Sequence, residues 1–198
     1  VRDIPFGFTR KHDAATPEYT LKRRIGHCTP KAELFVRLLR EAGFNDATMI
    51  SVPIPGDVLH GLGSNNSSPY PPRLHHTFTS VTVDGRPCRL DSYVVDLPLF
   101  RAAQEKLSQH PEKQAGWGIH RNGSCEWDGQ QDAFSQYIDI NNVKEEKHHE
   151  SAMELIKTNE YIHKDVQYVL STWGLGFLAG SWFEAQNKHI DKLRDSFN

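Results

Sequence analysis

The stretch CTPKAELFVRLLREAG, residues 28–43, decides the fold, because it places a cysteine at the start of an amphipathic helix. Thr29 followed by Pro30 predicts the helix N-terminus, since threonine is a frequent N-cap and proline suits the first helical position. Gly43 predicts its end. Apolar residues recur at helical spacing, at Ala32, Phe35, Leu38, Leu39 and Ala42. We therefore expect this face to lie on a core, with Cys28 at the helix N-terminus.

A β-hairpin is predicted downstream of this helix. Residues 76–83 alternate in the manner of a strand, the Asp-Gly pair at 84–85 is a strong two-residue turn signal, and residues 86–90 can return as the antiparallel partner. This pairing sets His76 and Asp91 at about the same end of the hairpin, on opposite strands. We expect the two side chains to be neighbours.

A catalytic cysteine needs an imidazole partner, because an ordinary thiol is mostly protonated near neutral pH, and a helix N-terminus further favours the thiolate. Cys28 has the helix N-terminus, and His76, His75 and His27 are all candidates for the base. Because adjacent strand residues point to opposite faces, only one of His75 and His76 can meet the cysteine on a regular strand. Asp91 is the candidate to accept the other imidazole N–H.

Two alternatives compete with these assignments. Asp96 is the second candidate for the carboxylate, and Asp91 would then only cap the loop after its strand. The other alternative is a metal site, since the chain offers several good zinc ligands in this region. Their spacing matches no standard zinc pattern, so we expect no metal. These candidate ligands are His27, Cys28, His75, His76 and Cys88.

The segments around the hairpin are predicted from local signals. Residues 47–52 suit a short strand that Pro53 and Pro55 would end. A long loop is expected over residues 57–73, which are rich in Gly, Ser, Asn and Pro, and such loops often flank binding sites. Residues 97–107 suit a short helix.

The C-terminal half is predicted to be an irregular and helical extension. Residues 115–129 suit an irregular surface segment, and two helices are expected at 152–172 and 177–194, separated at Gly174 and Gly176. The charged run at 144–150 suits a solvated segment. We expect the C-terminal aromatic residues to be core, these being Trp173, Phe177, Trp182 and Phe183.

Bulk composition limits the function classes. The chain has 198 residues, which suits one domain with its core in about residues 1–100, and its net charge of −2 provides no basic field for nucleic acid. No apolar stretch reaches the roughly 18 residues of a membrane span. The three cysteines form no CxxC pair, which favours a reducing, cytoplasmic location with free thiols over a bridge between Cys88 and Cys125.

Four segments together resemble the transglutaminase-like superfamily. They are RIGHCTPKA at 24–32, LLREAG at 38–43, HTFTSVTVDG at 76–85 and LDSY at 90–93, and their order and spacing agree with that family over about residues 1–100. The resemblance implies a papain-like α+β core with a cysteine-headed helix on an antiparallel sheet. It also implies that Cys28 is the nucleophile, His76 its base and Asp91 the group that orients the histidine, without a cofactor.

The resemblance implies a reaction class more than a substrate. Family members attack an amide or peptide carbonyl through the cysteine, and the acyl-enzyme passes to water or to an amine, so a peptide, amide or small-molecule acyl substrate is expected. Thr29 stands where members often carry an aromatic residue and Phe78 where they often carry tryptophan, which indicates a different binding groove. The alternatives are an inactive binding module on the same fold and a biosynthetic enzyme with a closed small-molecule pocket.

Overall fold

The computed structural model describes residues 1–63, 72–136, 145–158, 160–161, 163 and 173–196, with side chains from residue 180 onward in the last helix. Part of the predicted loop, residues 64–71, and part of the first predicted C-terminal helix, residues 164–172, lie outside the described residues, as do the side chains of Trp173 and Phe177.

A four-stranded antiparallel sheet forms the centre of the fold. Its strands are β1 (Thr48–Pro55), β2 (Arg73–Val83), β3 (Arg86–Leu90) and β6 (Lys147–His149), in the order β3-β2-β1-β6. A separate two-stranded ribbon joins β4 (Ala115–Gly116) to β5 (Ile119–His120). Together with the helices, this sheet confirms the predicted α+β class.

Five α-helices surround the sheet within the described residues. They are α1 (Pro17–Arg23), α2 (Cys28–Glu41), α3 (Leu97–Ser108), α4 (Ala152–Lys157) and α5 (Trp173–Asp195), and short 3-10 helices lie at His12–Ala14 and Gly56–Leu59. Helix α2 packs on β2, and α3 packs against α5. A helix headed by Cys28 therefore lies on an antiparallel sheet, as predicted. No helix within the described part of the chain is long and apolar enough to cross a membrane.

The predicted hairpin is confirmed. Strands β2 and β3 pair from Thr79 with Leu90 to Val83 with Arg86. Asp84 and Gly85 both have positive φ, 49° and 75°, as a two-residue turn that matches the right-handed strand twist requires. The turn therefore fixes the register that brings Asp91 toward β2.

Helix α2 differs from its prediction at its start. It begins at Cys28 with His27 as the N-cap residue, and no side chain caps it. The His27 ring bonds Asp13, and the Thr29 hydroxyl lies 3.1 Å from the Thr77 hydroxyl of β2. Thr29 is therefore a link between helix and sheet, and the predicted N-cap was wrong.

The buried face of α2 was also predicted only in part. Ala32 is buried, but Leu38 is 46% exposed, while Leu34 and Val36 are buried. Lys31 is also fully buried, and its ammonium donates to the carbonyls of Ile4 and Val94, each at 2.7 Å. Burial lowers the pKa of Lys31 to about 7.

Strand β1 runs past the two prolines that were expected to end it. Pro53 and Pro55 pair in register with His75 and Arg73 of β2. Strand β6 pairs only with the residues from Met49 to Ser51, so the rest of β1 is an edge within the described residues. Proline is tolerated there because an edge needs no second ladder of donors.

The C-terminal region departs most from its prediction. Helix α4 ends at Lys157, and Gly174 and Gly176 lie inside α5 instead of separating two helices. Glycine costs only about 1 kcal/mol in a helix, and tertiary packing can override it. Phe183 is buried at 4% exposure, as expected for core, whereas Trp182 is 55% exposed.

Two further segments that were expected to be solvated contribute buried side chains. His149 in the charged run is buried on β6, where its Nε2 lies 2.8 Å from the Ser51 hydroxyl. Residues 115–129 contribute three buried side chains, Trp117, Ile119 and Cys125. All three cysteines are buried free thiols, as favoured over a bridge.

Helix α5 ties the two ends of the described chain together. Arg194 pairs with Asp96 at 2.9 Å and donates to the Phe6 carbonyl, and Asp96 accepts the Phe6 N–H at 2.7 Å. Asn187 exchanges two hydrogen bonds with the Phe8 backbone, both at 2.8 Å. These contacts hold the N-terminal segment against α5 and close one side of the site described next.

Candidate active site

Cys28 lies at the N-terminus of a 14-residue helix, where the first backbone N–H groups have no intrahelical acceptor and the helix dipole is positive. The residue is 8% exposed, and it lines a cavity together with His76. Its thiol lies 3.9 Å from the Thr29 hydroxyl. The positive end of the α2 dipole therefore lies next to the Cys28 side chain.

His76 and Asp91 are directly paired. His76 Nε2 lies 2.7 Å from Asp91 Oδ2, and both side chains are buried. An ionised carboxylate only accepts hydrogen bonds, so Nε2 carries a proton. His76 Nδ1 is buried and has no hydrogen-bond partner of ordinary geometry among the described residues.

Asp91 is fixed by a segment that sequence reasoning missed. Its carboxylate accepts the backbone N–H groups of Ser135 and Gln136, and its own backbone N–H donates to the Ala133 carbonyl at 2.9 Å. Backbone donors on both of its oxygens therefore fix the orientation of this carboxylate. No local motif marks residues 133–136, because the contact spans more than 40 positions of the chain.

The electrostatics of His76 follow from these neighbours. Burial lowers its pKa, but hydrogen bonding to Asp91 and the adjacent Cys28 thiol outweigh burial and raise the pKa to about 9. The ring therefore binds a proton readily beside the sulfur. Cys28, His76 and Asp91, predicted from the sequence as a set, come together in the fold.

The cavity next to Cys28 has a volume of about 200 Å³ and a mainly apolar lining. Apolar side chains come from the N-terminal segment, β1, β2 and α5, and include Phe6, Phe8, Ile54, Leu74, Trp182 and Phe183. The polar contributions come mostly from imidazoles, among them His12, His27, His75 and His163. The cavity can therefore accept an apolar group while presenting nitrogen atoms to it.

A second His–Asp pair lies beside the first. His27, next to Cys28 in the chain, places Nε2 2.8 Å from Asp13 Oδ1. Asp13 is also contacted by His12 Nδ1 at 3.0 Å and His163 Nδ1 at 3.1 Å, and it accepts the Tyr161 hydroxyl. We call these five residues the Asp13 cluster.

The Asp13 cluster has the opposite electrostatic character to the His76 pair. Burial lowers the pKa of His27 to about 4, and the neighbouring His12 adds to this effect, although Asp13 opposes it. Burial alone would raise the pKa of Asp13, but the surrounding imidazoles hold it well below its usual value. His27 is thus neutral, and its Nδ1 is buried without a hydrogen-bond partner among the described residues.

The remaining candidates lie in other roles. His75 stacks on Tyr161, with ring centroids 5.9 Å apart, and does not take the place of His76 at Asp91. Asp96 caps α3 by accepting the Leu99 N–H and pairs with Arg194, so it is not the site carboxylate. Cys88 bonds the carbonyls of Arg86 and Gln130.

Comparison with known proteins adds no assignment, since no family model, no curated protein and no solved structure matches this chain.

Proposed function

We propose that the chain is a cysteine-dependent acyltransferase or amide hydrolase of the transglutaminase-like superfamily, with a papain-like core. The observation that carries the proposal is the His76 ring, which bonds Asp91 through Nε2 and lies next to the Cys28 thiol, while its Nδ1 has no hydrogen-bond partner of ordinary geometry in the described part of the chain. This is the arrangement that a thiol nucleophile needs in order to transfer its proton.

The proposed reaction has two halves. Cys28 gives its proton to His76 Nδ1, and the sulfur attacks the acyl carbon of an amide or ester. The bond to the leaving group then breaks, and His76 returns the proton to the departing amine or alcohol. In the second half His76 takes a proton from water or an amine, which attacks the thioester and releases Cys28.

Asp91 supports both halves without touching the substrate. Because it binds Nε2–H, it fixes the tautomer that leaves Nδ1 toward the sulfur, and it stabilises the imidazolium that forms. The backbone donors of Ser135 and Gln136 keep this carboxylate in place. The Cys28 backbone N–H at the start of α2 is available as one donor to the oxyanion.

The cavity supports a small substrate with an apolar or aromatic acyl group. A cavity of about 150 Å³ can hold a benzene ring, so about 200 Å³ suits one ring or a short branched chain. Phe8 and Phe183 stack with their centroids 5.8 Å apart at this cavity, and such aromatic walls favour flat apolar groups. A cavity of this size with a mainly apolar lining favours a small molecule over a long peptide.

The experiment uses a panel of nitrophenyl esters with aromatic, short aliphatic and charged acyl groups. Intact mass and peptide mapping should detect one acyl group on Cys28, formed fastest with the aromatic and branched esters. Cys28→Ser should lose this thioester adduct, and the matched variant Cys88→Ser should keep it. An adduct located mainly on Cys88 or Cys125, or a folded protein that none of the esters acylates, would reject the proposal.

A further inference from the structure

The Asp13 cluster brings together side chains of a kind that bind transition metals. One ligand atom from each of His12, Asp13 and His27 lies within 4.8 Å of the other two, and all three residues are buried. His163 adds a third imidazole at 3.1 Å from the same carboxylate. Two or three imidazoles with one carboxylate are ligands that zinc, iron and related divalent ions share.

From this convergence we propose that His12, Asp13 and His27 form a site for a divalent transition-metal ion of the zinc type, with His163 as a fourth ligand. The proposal does not rest on the proposed reaction of Cys28. The sequence-based metal alternative contained only His27 of this set, and its other members lie elsewhere: Cys28 and His76 beside each other, His75 against Tyr161, and Cys88 near Gln130.

The distances suit a metal centre. Ligands at 2.0–2.1 Å from a tetrahedral zinc ion lie about 3.3 Å from one another. The carboxylate oxygens of Asp13 lie 2.8 Å from His27 Nε2 and 3.0 Å from His12 Nδ1. A shift of a few tenths of an ångström therefore brings each of these two pairs to the spacing that a tetrahedral ion requires.

The charge of the cluster supports a cation. Asp13 is 1% exposed, and its ion-pair partners among the described residues are histidines, with no lysine or arginine. A buried carboxylate needs a compensating charge. A divalent ion supplies that charge and lets all the imidazoles stay neutral, which is the form that binds metals.

The cavity gives the ion both an entry path and an open position. His12, His27 and His163 line the same cavity as Cys28, while Asp13 lies behind them. A metal held from behind by Asp13 and bound by the three imidazoles would take a fifth ligand on the cavity side. That position would take water, or an oxygen or nitrogen atom of the molecule in the cavity.

The test uses the whole chain after treatment with a chelator. Cobalt(II) is titrated and followed by its visible absorption, and zinc(II) then competes for the same site. We expect one ion per chain, a spectrum typical of four or five nitrogen and oxygen ligands, and displacement by zinc. Metal should also raise the thermal midpoint, because it binds only the folded chain.

Variants locate the ion. Asp13→Asn and His12→Gln should each weaken binding by more than about 10-fold. His60→Gln, a histidine outside the cluster, and Cys28→Ser should bind as the unaltered chain does. Circular dichroism checks that each variant folds, and His12→Gln, which keeps the carboxylate, decides the question if Asp13→Asn does not fold.

The outcomes separate the possibilities. Equal binding by His12→Gln and the unaltered chain, or no stoichiometric binding at all, overturns the proposal. Loss of binding in Cys28→Ser also overturns it, because the ion would then sit on the thiolate and His76. Ester acylation of the metal-free chain is scored separately, so failure of either proposal leaves the other measurable.

Discussion

Two buried carboxylates, those of Asp91 and Asp13, each bond a histidine near Cys28, but the other groups around the two carboxylates differ. Asp91 is bonded to one imidazole, that of His76, and to backbone N–H groups. Asp13 is shared by three imidazoles and the Tyr161 hydroxyl. His27 therefore shares Asp13 with two other imidazoles, whereas Asp91 combines the imidazole of His76 with backbone N–H groups.

The difference decides which imidazole binds a proton more readily. The pKa of His76 is raised to about 9, because Asp91 and the thiol outweigh burial. The pKa of His27 is lowered to about 4, because burial and His12 outweigh Asp13. The geometry of the two sets differs as well, since His76 lies next to the Cys28 thiol whereas Asp13 gathers three imidazoles around one carboxylate. On that basis we assign acyl transfer to the first and metal binding to the second.

The largest expected effect is on the rate of acylation and comes from breaking the pair of His76 and Asp91. Asp91→Asn should slow acylation of Cys28 by up to about 10⁴-fold, the loss seen when the equivalent aspartate of a Ser-His-Asp triad becomes asparagine, because the wrong tautomer of His76 is then favoured. The rate of nitrophenol release measures it. Asp46→Asn, whose exposed side chain accepts the Thr82 N–H far from this pair, serves as the control and should stay near the rate of the unaltered chain. Equal rates for Asp91→Asn and the control would refute the role of Asp91.

The second effect is on the free energy of unfolding and comes from a substitution that breaks the Asp13 cluster. Asp13→Ala should lower the free energy of unfolding by about 3–5 kcal/mol, since it removes one partner from several buried polar groups. Urea unfolding of the metal-free chain measures it. Asp3→Ala, whose side chain is 92% exposed, should change it by less than about 0.5 kcal/mol. Similar losses from the two variants would mean that the cluster contributes little to stability.

The third effect is a pH dependence of opposite sign in the two pairs. The stabilising contribution of His76 is full below its unfolded pKa of about 6.5 and is lost as pH rises toward about 9. His27 has a lowered pKa, so its neutral buried state costs stability as pH falls from about 6.5 toward about 4.

Variants can isolate these two contributions. The stability difference between the unaltered chain and His76→Gln should shrink on the alkaline side, and the difference from His27→Gln should change on the acid side. Urea unfolding across this pH range measures both. The comparison with variants is needed because Lys31, with a pKa lowered to about 7, also makes the stability of the chain depend on pH in the alkaline range. Changes of the same sign in both variants would remove the electrostatic contrast between the pairs.

The pair of His76 and Asp91 could be predicted from the sequence because the sequence signals for it are local. A cysteine before a helix, an Asp-Gly turn and the alternation around His76 each depend on a few neighbouring residues, and together they fix the hairpin that carries Asp91. The backbone donors at Ser135 and Gln136 leave no such trace.

The Asp13 cluster could not be predicted from the sequence, because its contacts join residues that are far apart in the chain. Its members come from residues 12–13, from His27 and from Tyr161 and His163, which only the tertiary fold brings together. The burial of Lys31 was likewise hidden, because its acceptors are carbonyls on distant segments. Periodicity indicates which residue types favour burial, but not which polar group finds a partner.

The most direct test of the central claim is the rate at which iodoacetamide alkylates each cysteine near neutral pH, read by peptide mass in the unaltered chain and in His76→Gln. We predict that Cys28 reacts much faster than Cys88 and Cys125, because His76 accepts its proton and the N-terminus of α2 lies next to it. The variant His76→Gln should remove this advantage. Equal alkylation rates for the three cysteines, or a Cys28 rate that His76→Gln leaves unchanged, would contradict it.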